Sequence, residues 1–139
     1  MIAYQRALAR ALTGERVAVP GVDEADVARY VEIVFRKRLT ALRALLPRTL
    51  AACGRAAFEA RYRAFAHGRE SVGPEGYRDE AVAFARSVGL AVARVEARIV
   101  AAYGPSPVFT LLREGWRFTL YLRFRRGDRL RVVRFGIGR

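Results

Sequence analysis

The chain has 139 residues, 53% of them hydrophobic, which suits one domain, or one domain with a small appendage. It contains no apolar run of about 18 residues, so the sequence predicts no membrane-spanning helix and no membrane partner. The N-terminal residues lack the charged start and the continuous apolar block of a signal peptide, and Cys53 is the only cysteine. We therefore expect a cytoplasmic protein.

The charge is strongly basic and unevenly distributed. The net charge is +13, with 26 basic and 13 acidic residues, and 25 of the basic residues are arginine. Arginine makes bidentate contacts with carboxylates and phosphates, although an excess of alanine and arginine is also typical of a GC-rich genome. Residues 113–139 hold nine arginines and two acids, whereas residues 1–112 hold 17 basic and 11 acidic residues. A compositional bias alone would spread the charge evenly, so the C-terminal segment is predicted to present a basic surface.

The first 104 residues predict a bundle of about six helices. Apolar residues recur at steps of three and four, and the helices are expected to stop at Gly14, Gly54, Gly68, Gly89 and Gly104. The strongest helix is "VDEADVARYVEIVFRKRLTALRALL", which begins with an Asp N-cap and two acids in its first turn. The segment "PRTLAAC" then opens a short helix at its proline.

After Pro107 the period of the apolar residues changes from helical to alternating. The segments "VFTLL", "WRFTLYLRFR" and "RLRVVRFGI" are predicted to be strands. The fold class is therefore α+β, a bundle of about six helices followed by a small antiparallel β-hairpin or three-stranded meander. We predict a helical domain over 1–104 and a β-meander appendage over 105–139.

The register of the last two strands separates two faces. If Gly127–Asp128 is a two-residue loop, the numbers of facing residues sum to 255. The apolar face, which we expect on a core, then holds Phe118, Leu120, Leu122 and Phe124 opposite Ile137, Phe135, Val133 and Arg131. The other face is basic and includes Tyr121. The candidate peptide- or phosphate-binding residues are Arg117, Tyr121, Arg123, Arg125, Arg126, Arg129 and Arg134. A solvated, charged edge that prevents sheets from aggregating is the simpler interpretation.

Residues for catalysis or metal binding are not clustered in the sequence. His67 stands alone at a predicted helix end, where it favours the helix dipole, and the single cysteine is interpreted as a packed small residue. The pair Asp79–Glu80 is interpreted as solvated helix surface, and Glu32 and Glu96 as ion-pair partners of nearby arginines. We therefore expect no enzyme, no cofactor and no metal site.

The segment "RYVEIVFRKRLTALRALLPRTLAACGRAAFEARYRAFAH" combines a tyrosine-and-arginine helix, a Leu-Pro break, and a Gly followed by a Phe-containing helix. With the following "GYRDEAVAFA" and "VARVEAR", the stretch from Ala28 to Glu96 resembles a bacterial helical family labelled a DNA-binding domain by inference. Some proteins of that kind accompany multinuclear iron oxidases that modify ribosomally made peptides, as in methanobactin biosynthesis. The resemblance implies a non-catalytic partner that presents the leader of a precursor peptide to the iron enzyme.

Three functions remain open from the sequence. The first is a partner protein that binds an acidic leader peptide and a multinuclear iron enzyme, and we favour it. The second is a nucleic-acid-binding protein, sequence-nonspecific or regulatory, that uses the basic hairpin. The third is a structural subunit whose basic surface pairs with an acidic protein.

Overall fold

Six helices precede a three-stranded antiparallel sheet in the computed structural model, which describes residues 2–15, 17–69 and 73–136. The helices are α1 Ile2–Leu12, α2 Glu24–Leu45, α3 Pro47–Cys53, α4 Arg55–Ala66, α5 Gly73–Ser87 and α6 Ala91–Ala102. The strands are β1 Val108–Glu114, β2 Arg117–Arg123 and β3 Arg131–Gly136. The predicted α+β class is confirmed, whereas the division into domains at 104/105 stays a prediction. None of the described helices is long and apolar enough to cross a membrane.

Local signals in the sequence set the helix ends. The Asp23 side chain accepts a hydrogen bond from the Ala25 N–H at 2.9 Å and so caps α2, as predicted. Pro47 occupies the first turn of α3, where its missing N–H costs nothing. Gly54 ends α3 with a φ of +77°, a conformation that glycine adopts without strain.

The main core lies among α2, α4, α5 and α6. Phe58 and Tyr62 pack edge-to-face on Phe84, with ring centroids 5.1 and 5.4 Å apart. The remaining buried side chains are Phe35, Leu39, Leu42, Leu46, Ala66, Ala81, Ala85, Ala93, Ala97 and Val100. The helical periodicity of the sequence therefore corresponds to one closed apolar cluster.

An ion pair is buried inside this helical part. The Arg38 guanidinium contacts both carboxylate oxygens of Glu80, and the Tyr62 hydroxyl donates to Glu80 Oε1 at 2.9 Å. Arg38 Nη2 also donates to the Arg69 carbonyl at 3.1 Å. The interpretation of Asp79–Glu80 as solvated surface is therefore wrong for Glu80, because α5 turns this carboxylate inward onto the arginine of α2.

Helix α6 packs in two directions and connects the core to the sheet. Its core side carries Ala93, Ala97 and Val100. Its other side carries Val95, Ile99 and Ala102, which contact the sheet residues Leu112 and Tyr121. The sheet therefore sits on a helix that is itself fixed by the main core.

The turn between β2 and β3 differs from the predicted two-residue loop. The Asp128 N–H donates to the Arg125 carbonyl at 3.1 Å, and Asp128 Oδ2 accepts from the Arg125 N–H at 3.0 Å. Gly127, with a φ of +91°, therefore takes the second central position of the turn rather than the first. The centre of the turn moves by one residue.

This turn shifts the strand register by two residues. Phe118 faces Phe135, and Leu122 faces Arg131, so the numbers of facing residues sum to 253 rather than 255. Because side chains alternate with a period of two, a shift of two leaves each side chain on its predicted face. All four predicted pairs of the apolar face are therefore wrong, but the membership of the two faces is unchanged. Ile137 lies outside the described residues.

The sheet packs on the helices with the opposite face from the one predicted. Tyr121 and Leu112 are only 6% and 4% exposed and lie against α6, whereas Val133 and Phe135 are 47% and 46% exposed. The first strand explains the difference, because Leu112 of β1 joins Tyr121 on the inner face, and the pattern of β2 and β3 alone does not indicate this packing. Arginine side chains on that face have long apolar stems, which place their charged groups at the edge of the contact between the sheet and the helices.

Candidate functional site: a basic cleft on the inner face of the sheet

A cleft of about 490 Å³ lies between the inner face of the sheet and the helices. We call it the inner cleft. Its polar side chains include Arg48 of α3, Glu114 of β1, Arg117 and Tyr121 of β2, and Arg134 of β3. A neighbouring cleft of about 400 Å³ shares Arg48, Tyr121 and Arg134 with it. Three strands and one helix thus place charged groups around a single concave surface.

The start of α3 is fixed by a carboxylate from α6. Glu96 is buried, and its two oxygens accept hydrogen bonds from the N–H groups of Arg48 and Thr49 at 2.9 and 2.8 Å. These N–H groups are in the first turn of α3, where no helical acceptor is available. Glu96 therefore positions Arg48, and its interpretation as an ion-pair partner is wrong. The same interpretation is confirmed for Glu32, which pairs with arginines of α2 and α4.

The inner cleft carries excess positive charge. Three arginines line it, with Glu114 as the one carboxylate among its lining residues, and Glu114 forms an ion pair with Arg48. Within the described residues, Arg117 and Arg134 form no ion pair with a carboxylate. Two guanidinium groups are therefore available to bind a carboxylate or a phosphate.

Tyr121 supplies a neutral hydrogen-bonding group at the base of the cleft. Burial raises the pKa of its phenol above the ordinary value, and the neighbouring Tyr103 raises the pKa further, against the opposing effect of Arg134. The Tyr103 and Tyr121 rings lie edge-to-face, with centroids 6.1 Å apart. The Tyr121 phenol therefore keeps its proton at neutral pH.

The predicted site residues divide into three groups. Arg117, Tyr121 and Arg134 meet in the inner cleft. Arg123 lies at the other end of the inner face, and its Nη1 donates to the Ser106 carbonyl at 3.4 Å. The exposed turn carries the third group, which is Arg125, Arg126 and Arg129. Since β2 rises about 3.3 Å per residue, this turn lies roughly 20 Å from the cleft.

The two edges of the sheet differ. The strand order is β1-β2-β3, so β1 and β3 are the edges. At β1, Arg98 Nη2 from α6 donates to the Leu111 carbonyl at 3.2 Å and covers part of the edge. At β3, every described residue is exposed. An extended peptide therefore has access to the β3 edge, beside Arg134.

The contribution of Arg48, Glu114 and Tyr103 to the site is not predicted from the sequence. Arg48 follows the proline that begins α3, and only the packing of α3 against α6 brings it to the sheet. No short-range pattern relates it to Arg117. Within the described ranges, no group of three or more His, Cys, Asp or Glu residues could hold a metal ion.

Comparisons with known proteins place part of this chain in a family. No curated protein and no solved structure matches the sequence. One family model matches residues 2–90, which include α1 to α5 and end just before α6. Arg48 lies inside the match, whereas the residues of the sheet lie beyond it. Because the match covers more than half of the chain, the protein belongs to the family described as SCO6045-like, C-terminal domain.

Proposed function

We propose that the chain is a non-catalytic partner protein that binds an acidic precursor peptide and presents its leader to a larger, multinuclear iron enzyme. The observation that carries the peptide part is the pair Arg134, on the open edge strand β3, and Arg117, on the adjacent β2, which form no ion pair among the described residues. The iron enzyme comes from the resemblance of Ala28 to Glu96 to partner proteins of such enzymes.

An extended peptide would bind by adding a fourth strand at β3. Main-chain hydrogen bonds supply affinity in this mode, and side chains of the peptide alternate between the two faces of the sheet. Carboxylates on the inner side would meet Arg134 and Arg117, and the protonated Tyr121 phenol could donate to a carboxylate oxygen. Apolar side chains on the other side would lie beside Val133 and Phe135. The preferred ligand is thus a strand that alternates acidic and apolar residues.

Isothermal titration with a synthetic peptide of alternating Glu and Val tests this binding mode. We expect micromolar to submicromolar affinity for the Glu peptide and no measurable heat from a matched peptide of alternating Lys and Val. The double variant R117Q/R134Q should weaken binding of the Glu peptide by about tenfold or more, since charged hydrogen bonds contribute about 1.5–3 kcal/mol each.

The matched control is the double variant R6Q/R55Q. It removes the same total charge, but Arg6 and Arg55 are exposed on α1 and α4, away from the sheet. Equal weakening by both double variants would show that only net charge matters, and would overturn the assignment to the inner cleft. No heat from the Glu peptide at about 0.05 M salt would overturn peptide binding at the edge.

A second candidate function, nucleic-acid binding, is favoured by the turn between β2 and β3. Phe124 is 72% exposed there and is followed by the exposed Arg125, Arg126 and Arg129. Exposed aromatic rings stack on bases, and neighbouring arginines contact phosphates. This turn could bind a single strand without reading its sequence.

Fluorescence anisotropy with a labelled single-stranded oligonucleotide distinguishes this candidate. Binding through the turn should fall steeply between about 0.05 and 0.3 M salt and should weaken in the F124A variant. The R117Q/R134Q variant should lose more affinity for the peptide than for the oligonucleotide. If no oligonucleotide binds at about 0.05 M salt, the nucleic-acid function is excluded.

A further inference from the structure

The face of the sheet that points away from the helices is apolar and uncovered. We call it the outer sheet face. It consists of nine strand positions, three from each strand: Phe109, Leu111, Arg113, Phe118, Leu120, Leu122, Arg131, Val133 and Phe135. Seven of these positions are apolar, two are arginine and none is acidic.

The exposure of this face is large for a protein surface. Phe109 is 78% exposed, and Leu111, Val133 and Phe135 are each more than 40% exposed. The Phe118 and Phe135 rings stack nearly parallel, with centroids 5.4 Å apart, and form a continuous aromatic patch across β2 and β3. Monomeric proteins rarely leave large contiguous apolar patches open, and such patches usually mark binding sites.

The layering of the protein indicates what is missing. An apolar face of a sheet is stable when a second layer covers it. The inner face has its layer, because Leu112 and Tyr121 pack on α6. No residue of the described ranges packs over the outer face in the same way, and its apolar side chains are open to a binding partner.

The charges indicate the chemistry of that molecule. Arg113 and Arg131 occupy opposite corners of the outer sheet face, next to Phe118 and Leu122 in the ladder. Arg129 adds a further positive charge near the second corner. A second copy of this chain would bring the same arginines and a net charge of +13 against them. Like charges at an interface are costly, whereas carboxylates on a partner would pair with these corners.

We infer that the outer sheet face is a docking surface for a folded partner protein whose contacting patch is apolar and bordered by carboxylates. Apolar residues form the centre of this interface, and Arg113 and Arg131 belong to its polar rim. This surface is the opposite face of the strands from the inner cleft, although Phe118 and Phe135 also border that cleft, and the inference does not rest on peptide binding at β3.

A designed helical peptide with a leucine stripe bordered by glutamates is the probe. Titrated into the full chain labelled with ¹⁵N, it should shift the amide resonances of residues 109–113, 118–122 and 131–135. A peptide with lysines in place of the glutamates should bind at least about tenfold more weakly, as should a peptide with glutamines in place of the leucines. This comparison needs no variant of the protein.

The double variant L111S/V133S should reduce binding of the glutamate-bordered helix by about tenfold or more. Two controls should leave it unchanged. The first, I33S/V22S, removes two exposed apolar residues, Ile33 on α2 and Val22 just before it. The second, R117Q/R134Q, removes two positive charges from the inner cleft. If the peptide of alternating Glu and Val does not bind but the glutamate-bordered helical peptide does, the proposed peptide binding at β3 is overturned and the inference on the outer sheet face is not.

Three results would overturn the inference. One is equal affinity for the glutamate-bordered and lysine-bordered helices, or no binding of either. Another is a dimer in sedimentation equilibrium that L111S/V133S dissociates, which would assign the face to a second copy. The third is co-sedimentation with anionic phospholipid vesicles that L111S/V133S abolishes, which would assign it to a lipid surface.

Discussion

The helical part of the chain and its C-terminal sheet differ in how they use apolar side chains. In the helices, Phe58, Tyr62 and Phe84 are fully or almost fully buried around one another. In the described part of the sheet, only Leu112 and Tyr121 are buried, and large apolar residues such as Phe109 remain exposed. The helices therefore stabilise themselves, whereas the sheet keeps much of its apolar surface available to other molecules.

Their charges differ in the same way. Arg38, the one buried arginine among the described residues, is paired with Glu80 inside the helical part. Arg117 and Arg134 of the sheet have no carboxylate partner in the described ranges. Removing one partner of a buried pair leaves an unpaired charge inside the fold, whereas unpaired charges at a cleft are available to a ligand. We therefore expect substitutions in the helices to change stability and substitutions in the sheet to change binding.

The largest expected effect is on the buried ion pair. The E80A variant should lower the free energy of unfolding by about 3–5 kcal/mol, because it leaves the Arg38 charge buried and unpaired. It also removes the acceptor of the Tyr62 hydroxyl. Urea denaturation followed by far-UV circular dichroism measures the loss. The control is E32A, whose exposed ion pairs should contribute about 0–1 kcal/mol. Equal losses in the two variants would contradict the comparison.

A smaller effect is expected at the junction between α6 and the sheet. The L112A variant should destabilise docking of the sheet by about 2–3 kcal/mol, since Leu112 is buried against α6. Amide hydrogen exchange should show faster exchange over 108–136 and unchanged protection in α2 and α4. Its neighbour Leu111 is exposed on the outer sheet face, so L111A should change protection little. Loss of protection throughout the helices in L112A would show that the two regions unfold as one.

The smallest expected effect is on the pH dependence of stability. Burial raises the pKa of Tyr62, and the Glu80 charge raises it further, whereas an unfolded tyrosine ionises near pH 10. The folded protein thus keeps this proton where the unfolded chain loses it. The contribution of Tyr62 to the free energy of unfolding is fully present below about pH 10. Above that pH it decreases by about 1.4 kcal/mol per pH unit.

The Y62F variant should remove this alkaline contribution, although it also loses one hydrogen bond at every pH. Free energies of unfolding measured from about pH 8 to 11 reveal the slope. Y30F, which alters an exposed tyrosine of α2, should keep the slope of the unmodified protein. An identical slope in Y62F and the unmodified protein would contradict the role of the buried phenol.

Much of the fold follows from local patterns, and most of the site does not. Asp23 caps α2 and Gly54 ends α3 as predicted, because caps depend on neighbouring backbone groups. The burial of Glu80 and Glu96 is not predicted from the sequence, because their partners are distant along the chain. Arg38 lies 42 residues from Glu80. The N–H groups of Thr49 and Arg48 lie 47 and 48 residues from Glu96. Of the predicted site residues, Arg117, Tyr121 and Arg134 meet in one cleft, whereas those at the turn lie elsewhere. The functional assignment of each stays a prediction.

The sequence by itself determined which residues share a face of the sheet, because side chains alternate with a fixed period of two. This assignment of residues to faces is correct although the predicted register is wrong by two residues. Only the tertiary structure decided which face lies inward. The choice depends on Leu112 of β1 joining Tyr121 against Ile99 of α6, a packing of three separate elements that no local pattern encodes. For that reason Arg117 and Arg134, on the face predicted to lie opposite the core, line a cleft against the helices, and the apolar face predicted for the core is the one left open.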